Sequence, residues 1–313
     1  MRDDPATDPT IPTEIDWAAG VAHLREADAF FAPLREDMAG WLEPAAGSRV
    51  LDVGCGAGGM TTLLARVVGP AGRVVAVDAE PSALAAVRDR VSALGLDDRV
   101  ETVRYDLHLA DSPSGSPVGT PAPFGDDFDL IWAAHAVHHL PDQAAAVRSL
   151  AGWLRPGGRL ALAEGGLRMR CLPFDTGVGE PGLEERIEAA ATRWFNAMRA
   201  SLPGAVPGPY GWPRLLKDAG LEAVRTRSFL FETGPPLRPA QAAFVRRHLE
   251  NALERVGDLL DPADRAALAR LCDQEDPACA DRRDDAFALA VESVHVGAKP
   301  PVPHAEGGPQ RWM

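Results

Sequence analysis

The sequence predicts an α/β protein built on a doubly wound parallel sheet with helices on both faces. Three observations carry that reading. Short apolar runs alternate with helical stretches of ten or more residues, a glycine-rich bend follows the first run, and acids recur near the ends of the first three runs.

The N-terminal residues 1–14 are polar and proline-rich, as expected of a loose end. From Ile15 to Leu42 the apolar residues Val21, Leu24, Phe30, Phe31, Leu34, Met38, Trp41 and Leu42 recur at helical spacing, predicting one helical stretch. Arg49–Val53 reads as a strand, Gly59–Val68 as a helix, Arg73–Val77 as a strand, Ser82–Leu94 as a helix and Val100–Tyr105 as a strand. Asp126–Ala133 leads into a fourth strand, Gln143–Leu154 is helical, and Arg159–Ala163 is a fifth strand. Helices follow near Glu184–Leu202 and Trp212–Ala219, then a strand over Ala223–Phe231, helices over Pro239–Leu260 and Pro262–Cys272, and an alternating strand over Ala286–Val296.

This order divides the chain into a helical lid segment (1–44), a cofactor core (45–166), a helical insertion over the acceptor (167–215) and a return to the core (216–234). A second helical insertion (235–284), a last core strand (285–298) and a disordered tail (299–313) complete it. The Ser/Pro/Gly-rich stretch 111–126 reads either as a neutral surface insertion or as a flap near the cofactor.

Composition excludes several partners. The formal charge of −13 and the lack of any Lys/Arg run argue against nucleic acid. No apolar run is long enough to span a bilayer, and Met1–Pro5 opens no secretory signal, so the expected location is cytoplasmic. Cys55, Cys171, Cys272 and Cys279 lack Cys-x-x-Cys spacing, which predicts reduced thiols and no metal site. The remaining partner is a small-molecule acceptor, with homodimerisation left open.

Val50–Gly59 reads Val-Leu-Asp-Val-Gly-Cys-Gly-Ala-Gly-Gly, a strand running into a glycine bend that can bring backbone amides close to a ligand. Gly54, Gly56 and Gly59 also satisfy the dinucleotide pattern Gly-x-Gly-x-x-Gly, so the glycines alone leave NAD open. Asp52 separates the two: a carboxylate beside the bend would repel a pyrophosphate and attract an ammonium group. That favours S-adenosylmethionine, a cationic, phosphate-free adenosine compound. Asp78, twenty residues after Gly58, can accept both ribose hydroxyls, and Asp106 at the next strand end can accept from an adenine amino group.

The fourth strand exits through His135-Ala136-Val137-His138-His139-Leu140-Pro141-Asp142, and Leu154-Arg155-Pro156-Gly157-Gly158 precedes the fifth. With the glycine bend, these ordered motifs over about residues 45–165 resemble the class I S-adenosylmethionine-dependent methyltransferases. The likeness is strongest to the small-molecule branch with His-His-x-Pro-Asp after the fourth strand. The resemblance implies a Rossmann-like, seven-stranded sheet with an antiparallel last strand and helical lid insertions. It implies that Asp52 and the loop with Gly54, Gly56 and Gly58 hold the methionine part. Asp78 with Ala79 would hold the ribose, Asp106 with the Leu107 amide the adenine, and backbone at Ala133 or Ala134 the ammonium. Relatives that methylate sugar or aglycone hydroxyls use a His pair and an acid, here matched by His138, His139 and Glu164.

A hydroxyl acceptor needs a proton acceptor, and imidazole suits that task near neutral pH. His138 or His139 is the expected base, with Glu164 one strand over and His135 a further candidate; N- or C-methylation would need none. Trp194, Phe195, Tyr210 and Trp212 could line an acceptor pocket or simply pack in a core. Arg246, Arg247 and His248 could meet an acidic acceptor or merely form a solvated face. The alternatives to methyl transfer are a non-methylating S-adenosylmethionine-binding protein or cyclase on the same fold and, more remotely, an NAD-dependent dehydrogenase.

Overall fold

The computed structural model describes residues 17–107, 122–208 and 210–302. The N-terminal residues 1–14, most of the 111–126 stretch and most of the tail lie outside the described residues.

The helical stretch expected over 15–42 forms two helices, α1 (Trp17–Phe30) and α2 (Ala32–Leu42). Pro33, in the first turn of α2, has no N–H to donate and its ring crowds the preceding turn, so the axis changes direction at Phe31. Strands β1 (Arg49–Val53), β2 (Arg73–Asp78) and β3 (Val100–Arg104) then alternate with α3 (Gly59–Val67) and α4 (Pro81–Ala93). Strand β4 (Phe128–Ala134) leads through a short 3-10 turn, Val137–His139, into α5 (Gln143–Gly152). Strand β5 (Leu154–Arg170), α6 (Leu183–Ser201), α7 (Trp212–Asp218), β6 (Glu222–Thr233), α8 (Pro239–Val256), α9 (Pro262–Cys272) and β7 (Ala288–Ala298) follow.

The seven strands form one sheet in the order β3-β2-β1-β4-β5-β7-β6. Strands β1 to β5 are parallel to one another, and β7 runs antiparallel between β5 and β6. The chain moves outward from β1 to β3 and then restarts at β4 beside β1, which opens a crevice at the carboxyl ends of β1 and β4.

Strand pleating sorts the core into two layers. Val50, Leu130, Trp132, Ala161 and Ala163 face α2, α3, α4, α8 and α9, while Leu51, Val53, Ile131, Ala133, Leu160 and Leu162 face α5 and α7. Asp52 shares the face of Val50 and so lies beneath α3.

Strand β5 departs most from expectation. It continues past Ala163 to Arg170 because β7 pairs with it beyond the rim, through Gly166↔Glu292, Leu167↔Val291 and Arg170↔Leu289. The segment expected to begin an insertion at 167 therefore starts inside a strand, and α7 straddles the boundary placed after 215. The register shifts between Ala163 and Gly166. Gly166 has φ +111, and a Cβ there would lie 2.0 Å from the Val291 carbonyl oxygen, so only glycine permits this pairing.

Candidate active site

The crevice rim runs, in sheet order, from Asp106 and Asp78 through the glycine bend to His135, Glu164 and Glu292. On the β1–β3 side the bend is held from below. The amides of Gly54 and Cys55 both donate to the Val77 carbonyl, and that of Gly56 donates to Asp78 Oδ2 at 3.0 Å. Gly54, Gly56 and Gly58 all have positive φ, and a Cβ on Gly54 would come within 2.8 Å of the Ala136 Cβ. The bend therefore sits directly against the exit of β4.

Asp52 is 2% exposed and accepts a hydrogen bond from Thr61 Oγ1 at 2.5 Å. Burial pushes its carboxyl up to about 7, with the Thr61 bond opposing the rise and the charges of Asp28 and Asp78 adding to it. The sequence reading placed this carboxylate at the mouth of the bend; the structure puts it beneath, where it fastens the first turn of α3. Asp78 is half-buried, and its Oδ1 accepts from the Glu80 amide at 3.0 Å. A carboxylate has acceptor capacity beyond these amides, which fits a ribose diol. Burial raises its carboxyl pKa, against the pull of the Glu80 and Gly56 amides. Asp106 is half-buried at the next strand end, whereas Leu107 is buried among the apolar residues facing α5. The Ala79 carbonyl accepts from Arg104 Nε at 3.2 Å.

Asp28 on α1 is a member of this half that the sequence did not reveal. Its carboxylate pairs with Arg35 at 3.2 Å and Arg90 at 2.8 Å, and accepts from the Gly59 amide at the start of α3. Leu24, one turn earlier, lies 3.4 Å from where a Cβ on Gly56 would be. Helix α1 thus roofs the bend.

On the β4–β7 side, Ala134 closes β4 and the chain turns at His135, whose φ is +50. That conformation is strained for a residue with a Cβ. His135 Nε2 lies 2.8 Å from Glu292 Oε2 on β7. Glu164, 1% exposed, accepts from the Val137 amide at 2.9 Å and approaches His138 Nδ1 at 2.6 Å. The β5 bulge aims this carboxylate, since it falls at the register shift that precedes Gly166. Arg199 on α6 donates to the carbonyls of His138, Leu140 and Pro141 and clamps the turn.

The three histidines differ in their electrostatics. Burial, reinforced by the neighbouring imidazoles of His138 and His135 and by Arg199 and Arg255, pushes His139 down to about 3, so it stays neutral. The His135 side chain is 60% accessible at the exit of β4. The surrounding protein alone would lower its pKa, but the hydrogen bond and charge of Glu292, aided by Glu164, raise it overall.

Of the aromatic candidates, only Phe195 reaches the dyad, with its ring centroid 5.5 Å from that of His138. Trp194 packs in a small core with Ala190, Met198 and Val256, Tyr210 is exposed, and Trp212 packs against the core facing α5 and α7. Arg246 bridges Glu250 and Asp281, and Arg247 pairs with Glu26, so neither is presented as a free cation to an acceptor. Burial pushes His248 down to about 4.

Among the described residues no helix is long and apolar enough to cross a membrane. Residues 51–160 match the family described as "Methyltransferase domain". Methyltransferase GfsG of Streptomyces halstedii is 32% identical over 204 residues, covering 64% of this chain and 63% of that protein. The 27-O-demethylrifamycin SV methyltransferase of Amycolatopsis mediterranei is 32% identical over 148 residues, 47% of this chain and 48% of the relative. The chain therefore spans less than two thirds of the length of either. A solved structure from Bacillus halodurans C-125, itself named only provisionally as a methyltransferase, superposes with TM-score 0.50 at 18% identity, over 85% of this chain and 98% of that one.

Proposed function

We propose that the chain is a class I S-adenosylmethionine-dependent methyltransferase, a reading supported by the methyltransferase-domain match over residues 51–160, and that it methylates a hydroxyl of a small secondary-metabolite acceptor, with His138 taking the proton. The observation that carries this reading is the 2.6 Å contact between His138 Nδ1 and Glu164 Oε2 beside the glycine bend.

The residues of the β1–β3 half suit the cofactor. The positive-φ glycines keep the bend free of side chains, Asp78 offers acceptors for a ribose diol, and Asp106 offers one for an exocyclic amine. Bound S-adenosylmethionine supplies an electrophilic sulfonium methyl. Asp52 and Thr61 stiffen the bend, and α1 roofs it against water.

On the other half, Glu164 accepts the Nδ1 proton of His138 and fixes the tautomer that leaves Nε2 as the lone-pair nitrogen. An acceptor hydroxyl at Nε2 gives up its proton as the oxygen attacks, and the carboxylate stabilises the imidazolium that results. His139, held neutral by burial, serves to pack the turn. The rifamycin relative is named for an O-linked methyl, which supports a hydroxyl over a nitrogen or carbon target here.

The test is incubation with S-adenosylmethionine and a panel of polyhydroxylated macrolactones, aglycones and glycosides, followed by mass spectrometry. An acceptor should gain one CH₂, and His138→Ala and Glu164→Gln should each lower turnover by about 10²–10⁴-fold. Cofactor binding without mass gain on any acceptor would favour a non-transferring protein or cyclase. Transfer unaffected by His138→Ala would remove the base from the account.

A further inference from the structure

We propose that His135, His138 and Glu164 bind a divalent first-row transition-metal ion on the acceptor side of the rim, with Glu292 orienting His135 behind it. The inference does not rest on the proposed reaction, since an ion on His138 Nδ1 and His138 acting as the base exclude one another.

The donor atoms of His135, His138 and Glu164 all lie within 4.8 Å of one another. Metal–ligand bonds of about 2.0–2.2 Å place opposite ligands of one ion about 4.2 Å apart, so inward shifts of a few tenths of an ångström suffice. Two imidazoles with one carboxylate make a nitrogen–oxygen donor set that suits zinc, cobalt, manganese or iron better than calcium or magnesium.

Glu292 supplies the independent observation. Its Oε2 contacts His135 at 2.8 Å, but its Oε1 is buried and accepts no hydrogen bond among the described residues. An anionic oxygen buried without a donor costs free energy unless a cation or proton meets it. A cation held by His135 would offset that buried charge.

The surroundings also suit an ion with open positions. Glu164 is almost fully enclosed, and its second oxygen is fixed by the Val137 amide, whereas the His135 side chain is exposed. Protein thus backs the cluster on one side and leaves the other to acceptor or solvent, as in metal sites that keep a coordination position free. The backbone invests strain to gather these groups: φ +50 at His135 and φ +111 at Gly166 bring β4, β5 and β7 side chains together. The ion would replace the proton now shared within the His138–Glu164 pair, so loading requires deprotonated ligands and weakens as pH falls. An ion on His138 Nδ1 leaves the ring proton on Nε2, so a loaded site silences proton uptake there.

The experiment uses the full chain, freed of any affinity tag and dialysed against chelator. Titration with CoCl₂, followed by visible absorption and equilibrium dialysis, should show about one ion per chain. His135→Asn, whose side chain tolerates a positive φ, and Glu292→Gln should each weaken Co²⁺ binding by about tenfold or more. Both variants should keep the parent's melting temperature and S-adenosylmethionine affinity, which guards against misfolding and keeps this test separate from that of methyl transfer. No Co²⁺ bound at about 1 mM, or affinity unchanged in both variants, overturns the proposal.

Discussion

The two halves of the rim are assembled in different ways. The β1–β3 half is built mainly from neighbours in sequence: Asp52, the glycine bend, Thr61 and Asp78 fall within one strand–helix–strand unit, to which α1 adds Asp28 from outside. The β4–β7 half is built from distant segments. His135 meets Glu292 across 157 residues, and Arg199 on α6 clamps the turn of His138 from 61 residues away. A pocket made of one contiguous unit fixes its chemistry locally, whereas one made by strand order can change its acceptor without disturbing the first.

Each half depends on a glycine, and substituting the two compares them directly. Gly166→Ala should have the largest effect, because its Cβ would lie 2.0 Å from the Val291 carbonyl oxygen at φ +111, where nothing flexible can yield. We expect a loss of about 4 kcal/mol or more, read as a collapse of the urea midpoint. Gly54→Ala meets the methyl of Ala136 at 2.8 Å and φ +66. Left-handed strain and overpacking together should cost about 2–4 kcal/mol. Equal stability of both variants with the parent would show that neither bend is as constrained as described.

The smallest effect is in pH dependence, where the halves have opposite signs. Asp52, raised to about 7 by burial, favours the folded state fully below pH 4, and that stability is lost as pH rises through 7. His139, lowered to about 3, favours the folded state above pH 6.5, and that stability is lost on acidification. Asp52→Asn should therefore lose less thermal stability than the parent between pH 5 and 8, and His139→Gln less between pH 6.5 and 4.5. Parallel melting curves for variant and parent in both windows would contradict the assignment.

The same contrast explains what was legible in the sequence. Strand–helix alternation and the ordered motifs identified a seven-stranded sheet with an antiparallel last strand, as found. The glycine bend, Asp78 and Asp106 could be placed because their spacing is local. The burial of Asp52 could not, since a carboxylate at that spacing reads the same whether it faces the cleft or Thr61. Glu292 was illegible because its partner is chosen by β7 pairing with β5 past a bulge, which no local pattern encodes. Gly165-Gly166 was the available signal, two adjacent glycines after an apolar run. The split between α1 and α2 was signalled by Pro33 but masked by the strong apolar periodicity on either side.

The central claim is a division of labour along one rim, with the β1–β3 half holding the cofactor and the β4–β5 half handling the acceptor proton. The most direct test is calorimetric titration of S-adenosylmethionine into Asp78→Ala and His138→Ala side by side. Loss of charge-assisted hydrogen bonds should weaken binding to Asp78→Ala by about tenfold or more, while His138→Ala binds like the parent. The reverse pattern, or equal losses in both, would contradict it.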